Sequence, residues 1–145
     1  AVVGLVAITP AAGFVSFGPS IFIGLVASII SNYAVHWKNK STIDDTLDVF
    51  PCHGVGGIVG MILTAVFAKE GGLITGSTDL FLKHLLALVI VSAFTFFGSF
   101  LLLKVTNFII QLRVKDEEEE MGLDLSQHHE SVFEGGLYRP LKGEA

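Results

Sequence analysis

Residues 44–60 read Asp44-Asp45-Thr46-Leu47-Asp48-Val49-Phe50-Pro51-Cys52-His53-Gly54-Val55-Gly56-Gly57-Ile58-Val59-Gly60. After Asp48 no Asp, Glu, Lys or Arg occurs until Lys69. Charges followed by a long uncharged run are what a chain entering lipid looks like, because a spanning helix needs about 20 mostly apolar residues. Thr46 or Asp48 is placed to cap that helix. Pro51 falls in its first turn, where a missing N–H costs nothing. At helical spacing Val49, His53, Gly56, Gly57, Gly60 and Thr64 share one face. One imidazole therefore stands over a wall with almost no side chains. Such a wall lets another backbone, or a permeating species, come close, and an ionisable group at membrane depth marks a candidate pathway. A helix-packing strip, with the histidine hydrogen-bonded across the interface, explains the same residues. On spacing alone both readings stand.

The pattern recurs along the chain. Residues 1–37 and 84–103 are also free of charged side chains. Of the 145 residues 51% are hydrophobic and 16% charged, against about 25% charged in an ordinary soluble domain. Mean hydropathy is +0.66. These figures exclude a disordered chain and a basic nucleic-acid binder. The lone Cys52 excludes a disulfide scaffold. A soluble core would have to bury three separate uncharged helices of about 20 residues. The fold class expected is all-α, a polytopic membrane helix bundle over residues 1–112, with spans at 20–37, 46–68 and 84–112. Lys104, near the end of the last, can snorkel. Residues 1–15 end at the turn signal Ser16-Phe17-Gly18-Pro19 and are too short to cross alone. They read as the second half of a span that begins outside this sequence.

Charge divides the chain in two. Residues 1–112 carry five basic and five acidic side chains, and residues 113–145 carry four basic and nine acidic. The whole net charge of −5 thus sits in the tail. Lys38 and Lys40 lie between the second and third segments, Arg113 and Lys115 after the last, and Lys69 and Lys83 on the opposite side. The positive-inside rule puts the Lys38 side and the tail in the cytoplasm. Tyr33 and Trp37 suit the interfacial belt at that end.

Three motifs in order resemble one family. Asp48-Val-Phe-Pro-Cys-His-Gly-Val-Gly-Gly-Ile-Val-Gly60 looks like the signature of the ammonium transporters, the Amt/Mep branch of the Amt/Mep/Rh family. Gly4-Leu-Val-Ala-Ile-Thr-Pro-Ala-Ala-Gly-Phe14 is similar to that family's Gly-rich Ile-Thr-Pro segment. Arg113-Val-Lys-Asp-Glu-Glu-Glu-Glu-Met-Gly-Leu-Asp-Leu-Ser-Gln-His128 resembles its cytoplasmic tail, typically Arg-Val-x-x-Glu-Glu-Glu-x-x-Gly-Leu-Asp-x-x-x-His-Gly-Glu. The resemblance runs to about Phe133. It matches only the family's C-terminal part, the last four of eleven spans, the first of them cut short, in a homotrimer with one pore per subunit.

The resemblance implies transport of ammonium, ammonia or methylammonium across the cell membrane, with no enzymatic activity, no cofactor and no metal. His53 matches the second member of a twin-histidine pair in a narrow apolar pore, and the motif for the first member is not in this sequence. His36, His84, His128 and His129 do not replace it. Ile8 and Val49 match pore-lining positions. Asp48 matches the acidic residue at the cytoplasmic start of the helix. Gly56, Gly57 and Gly60 give the packing or pore face. Bare ammonium cannot cheaply enter a dry apolar channel; in the family's scheme a proton is removed and neutral ammonia passes. An imidazole suits such a path because it can donate with one nitrogen and accept with the other. In the tail, Gly122, Leu123, Asp124 and His128 match regulatory positions where a P-II-type nitrogen regulator docks. Gly122 suits a positive-φ turn before Leu123-Asp-Leu125 packs back. His129 departs from the pattern, where the family has Gly. Residues 134–145 fall outside the resemblance and are expected to be a flexible extension. A different class of function, a non-conducting membrane scaffold or an ammonium sensor acting through its tail, fits a chain that lacks the first half of the pore.

Overall fold

The structure, a computed structural model, describes residues 1–130. The extension expected at residues 134–145 lies outside them. The described residues form helices and no strand, and they fall into two units, Ala1–Phe96 and the residues from Phe97 onward.

In the first unit, α1 (Val2–Ile8) continues as a 3-10 turn, Thr9–Ala11, where Pro10 ends regular helix. The second helix, α2 (Phe17–Lys38), carries Pro19 in its first turn and His36 and Lys38 in its last, where cations suit the helix dipole. A π-helical turn, Phe50–Val55, runs directly into α3 (Gly56–Phe67). The fourth helix, α4 (Asp79–Ile109), is the longest at 31 residues. Phe17–Lys38, Phe50–Phe67 and Asp79–Ile109 are each long and apolar enough to cross a membrane. At about 1.5 Å per residue α4 is about 46 Å long, more than the roughly 30 Å of hydrocarbon. Its end is closed by Asn107 Oδ1, which accepts the Leu112 N–H at 3.1 Å.

Small residues decide how α1, α2 and α3 meet. Gly56 lies against Val3 and Val6, and Gly60 against the backbone of Ala7, so α1 and α3 run parallel. A Cβ at Gly60 would sit 2.7 Å from the Ala7 Cα, closer than atoms tolerate. Gly24 of α2 faces Gly4 of α1, and Ser31 of α2 faces Gly56 of α3, so α2 runs antiparallel to both. Ala7, Ala11, Ile23 and Ala27 form the buried centre of this layer. Phe22 and Phe67 meet edge to face at 5.5 Å. Hydroxyls within the helices bond back to their own turns: Thr9 to Leu5 O, Ser28 to Gly24 O, Thr64 to Gly60 O and Thr106 to Leu102 O. Without water in the bilayer core, that is the cheapest way to satisfy them. The imidazole of His84 in α4 donates from Nδ1 to the Met61 carbonyl of α3 at 3.1 Å.

The second unit holds the end of α4 and two short helices, α5 (Asp116–Met121) and α6 (Leu123–His128). The Lys115 N–H donates to Glu118 Oε2 at 3.2 Å, and Arg113 pairs with Glu119 at 2.9 Å. Acidic residues fill the first turn of α5, where the helix dipole favours them.

Candidate functional site around His53

The start of the third span accounts for its backbone donors one by one. The first N–H groups of any helix lack intrahelical acceptors. Here the carboxylate of Asp45 accepts from Val49 N–H at 2.8 Å and from Phe50 N–H at 2.9 Å. Pro51 has no N–H to satisfy and is buried. The Cys52 N–H reaches the Asp48 carbonyl at 2.9 Å. The Phe50 and Val49 N–H bonds, in that order, hold the Asp45 carboxyl below its ordinary range, aided by the Lys38 charge and opposed by partial burial.

Asp45 is therefore the cap, and the expectation of Thr46 or Asp48 is corrected. Thr46 Oγ1 turns to Asp44 at 3.1 Å instead. Asp48 has φ +54, a left-handed conformation that Asp tolerates better than most residues. Its carboxylate points away from the helix start and onto the Lys38 ammonium at 2.6 Å. Lys38 also donates to the Asp45 carbonyl at 2.7 Å. Its side chain is only 15% exposed. Neither Lys38 nor Asp45 stood out as a site residue in the sequence. The available signal was a cation at the end of one apolar run, with acidic residues at the start of the next.

His53 lies inside the π turn and is exposed, as is Val49. Gly56, Gly60 and Thr64 are buried. The regular period that put all of them on one face does not run through residues 50–55, because a π turn takes up more residues than an α turn. The glycine wall is thus a packing strip where Gly56 and Gly60 meet α1. Gly57 is less confined, with only Val6 about 4.0 Å from the place of a Cβ. Gly54 leaves room for the Phe50 ring, which a Cβ there would meet at 2.8 Å. Ile8 is half-buried and lines a groove between α1 and α2, with Gly4, Gly24 and Ser28, in which His53 and Val49 take no part.

In the tail, Gly122 has φ +96 and joins α5 to α6. Ser126 Oγ bonds the Glu118 carbonyl at 3.1 Å and the Gly122 carbonyl at 2.9 Å, which folds α6 back on α5. Leu125 is half-buried by that fold, whereas Leu123, Asp124 and His128 are exposed. The Asp124 carbonyl accepts the Glu130 N–H at 2.9 Å. His129 ends α6 with φ +55. The left-handed cap is therefore present, with histidine in place of the family's glycine.

Comparison with known proteins gives this geometry its setting. The family model described as Ammonium Transporter Family matches residues 1–133. A putative ammonium transporter of Methanothermobacter thermautotrophicus is 45% identical over 92% of this chain and 35% of its own length. Ammonium transporter Amt1 of Archaeoglobus fulgidus is 39% identical over 92% of the chain and 35% of its own. An ammonium transporter of Bacillus subtilis is 38% identical over 94% and 36%. The chain spans about a third of the length of these curated relatives. Their names are those of transporters, not enzymes. The chain, an all-α polytopic membrane protein with three apolar helices of spanning length, belongs to the ammonium transporter family.

Proposed function

We propose that this chain is part of a pore that carries ammonium, as ammonia or methylammonium as well, across the cell membrane, with His53 as one member of a twin-histidine pair. The observation that carries the reading is an exposed imidazole in a π turn at the head of a membrane-length helix, in a chain of this family. π turns recur at functional sites because they aim a side chain off the regular helical face. In a dry apolar conduit a neutral imidazole can hold ammonia with one nitrogen and a second imidazole with the other. Val49, exposed four residues before His53, supplies apolar wall beside it, and Ile8 of α1 lines the path farther along, in its own groove. Asp48 stays out of the conduit, held by Lys38. The chain alone does not conduct, since His53 needs its partner ring.

The cytoplasmic tail, in this reading, serves a homotrimer. The α5–α6 fold around Gly122 presents Leu123, Asp124 and His128 to a neighbouring subunit or to a P-II-type regulator. The test of the pore is His53→Leu in the full polypeptide, reconstituted in lipid vesicles. Ammonium uptake falls at least about tenfold, or loses its selectivity over potassium, while assembly measured by gel filtration is unchanged. Unchanged uptake and selectivity remove His53 from the pathway.

A further inference from the structure

We propose that Lys38 is a positioning residue for His53. The helix start that carries His53 has three usable donors before it: Val49 N–H, Phe50 N–H and Cys52 N–H. The first two end on the Asp45 carboxylate and the third on the Asp48 carbonyl. Lys38 grips both anchors, Asp45 through its carbonyl at 2.7 Å and Asp48 through its carboxylate at 2.6 Å. Pro51, between them, is buried and adds no donor that could choose another register. One ammonium at the end of α2 therefore fixes the left-handed turn at Asp48 and the rotation of the next turn, on which the imidazole stands. Taking Lys38 away leaves a half-buried carboxylate unpaired, so Asp48 has reason to turn toward water and unwind the turn. The effect on transport rests on the pore reading above; the effect on ring placement does not.

The experiment uses the full polypeptide in lipid nanodiscs, with nitrogen-15 in its histidines. The His53 ring signal is identified by its loss in His53→Gln. Lys38→Met keeps the length of the side chain and removes the charge. It is expected to move the His53 signal and to lower the ammonium-to-potassium selectivity about tenfold, within the range that ångström-scale misplacement of a working group produces. Lys38→Arg is expected to restore both. Should Lys38→Met fail to insert, Asp48→Asn serves in its place, because Asn accepts the left-handed turn and can keep a neutral hydrogen bond to the ammonium but not the ion pair. It is expected to move the same signal by a smaller amount. A His53 signal unmoved by the inserted Lys38→Met, or by Asp48→Asn where that variant is used, overturns the proposal. A moved signal, with uptake indifferent to His53→Leu, leaves the positioning intact and removes the pore role.

Discussion

The third and fourth spans both hold long uncharged apolar runs, yet they meet their surroundings in opposite ways. The span Phe50–Phe67 presses its glycines into its neighbours, with Gly56, Gly60, Thr64 and Ala65 buried in α3. The span Asp79–Ile109 holds the more apolar central stretch of the two, rich in Leu and Phe, and none of its residues is buried. In water the greasier helix would be the one inside. In a bilayer, lipid tails are as apolar as leucine, so apolarity selects nothing and close fit selects the protein interior. Gly60 and Gly98 show the difference at single positions. A Cβ at Gly60 collides with the backbone of Ala7, and one at Gly98 meets nothing within 4 Å.

The sharpest way to break this contrast is the pair Gly60→Val and Gly98→Val. The first forces α1 and α3 apart and costs about 3 kcal/mol, at the upper end of overpacking penalties. The second leaves stability within about 1 kcal/mol of the parent. Unfolding in mixed detergent micelles measures both, and equal losses would show that smallness is not what sorts the two helices. A smaller effect separates the phenylalanines. Phe67→Leu loses the edge-to-face pair with Phe22, worth about 0.5–1.5 kcal/mol beyond area. Phe94→Leu on the exposed face of α4 should shift the same midpoint by no more than about 0.5 kcal/mol. The finest distinction is at the helix starts. Asp45 ionises more readily in the folded chain than its ordinary value of 3.8, so its cap is in force above that pH and is lost as pH falls below it. Hydrogen exchange at Val49 and Phe50 should therefore speed up in acid relative to the amides of mid-α3. The start of α4 relies on the exposed Asp79–Lys83 pair, and such pairs contribute little at any pH.

Much of this was legible in the residues. Uncharged runs of spanning length mark the spanning helices because hydrocarbon leaves so few alternatives for a backbone. Gly56 and Gly60 could be read as points of close approach, because glycine every fourth position in an apolar helix admits a neighbouring backbone or a permeating species, and only the fold shows α1 against them. The head of the third span could not be read the same way. Asp44, Asp45, Thr46 and Asp48 are all competent caps, and only the folded loop, with Lys38 reaching across from α2, selects Asp45. The π turn escaped because a helical wheel assumes one period throughout, and that assumption put His53 over Gly56 and Gly60. His129 carried a partial signal. It departs from the family's glycine, yet histidine adopts the left-handed conformation often enough to take the φ of +55 found there.

The hydroxyls of Thr9, Ser28, Thr64 and Thr106, each bonded to a carbonyl of its own helix, bear on biosynthesis. A hydroxyl already content within its own helix makes no demand on companions while its segment leaves the translocon. These four hydroxyls therefore set no order on how the helices enter the bilayer, whereas the His84 imidazole of α4 gains its carbonyl only once α3 lies beside it.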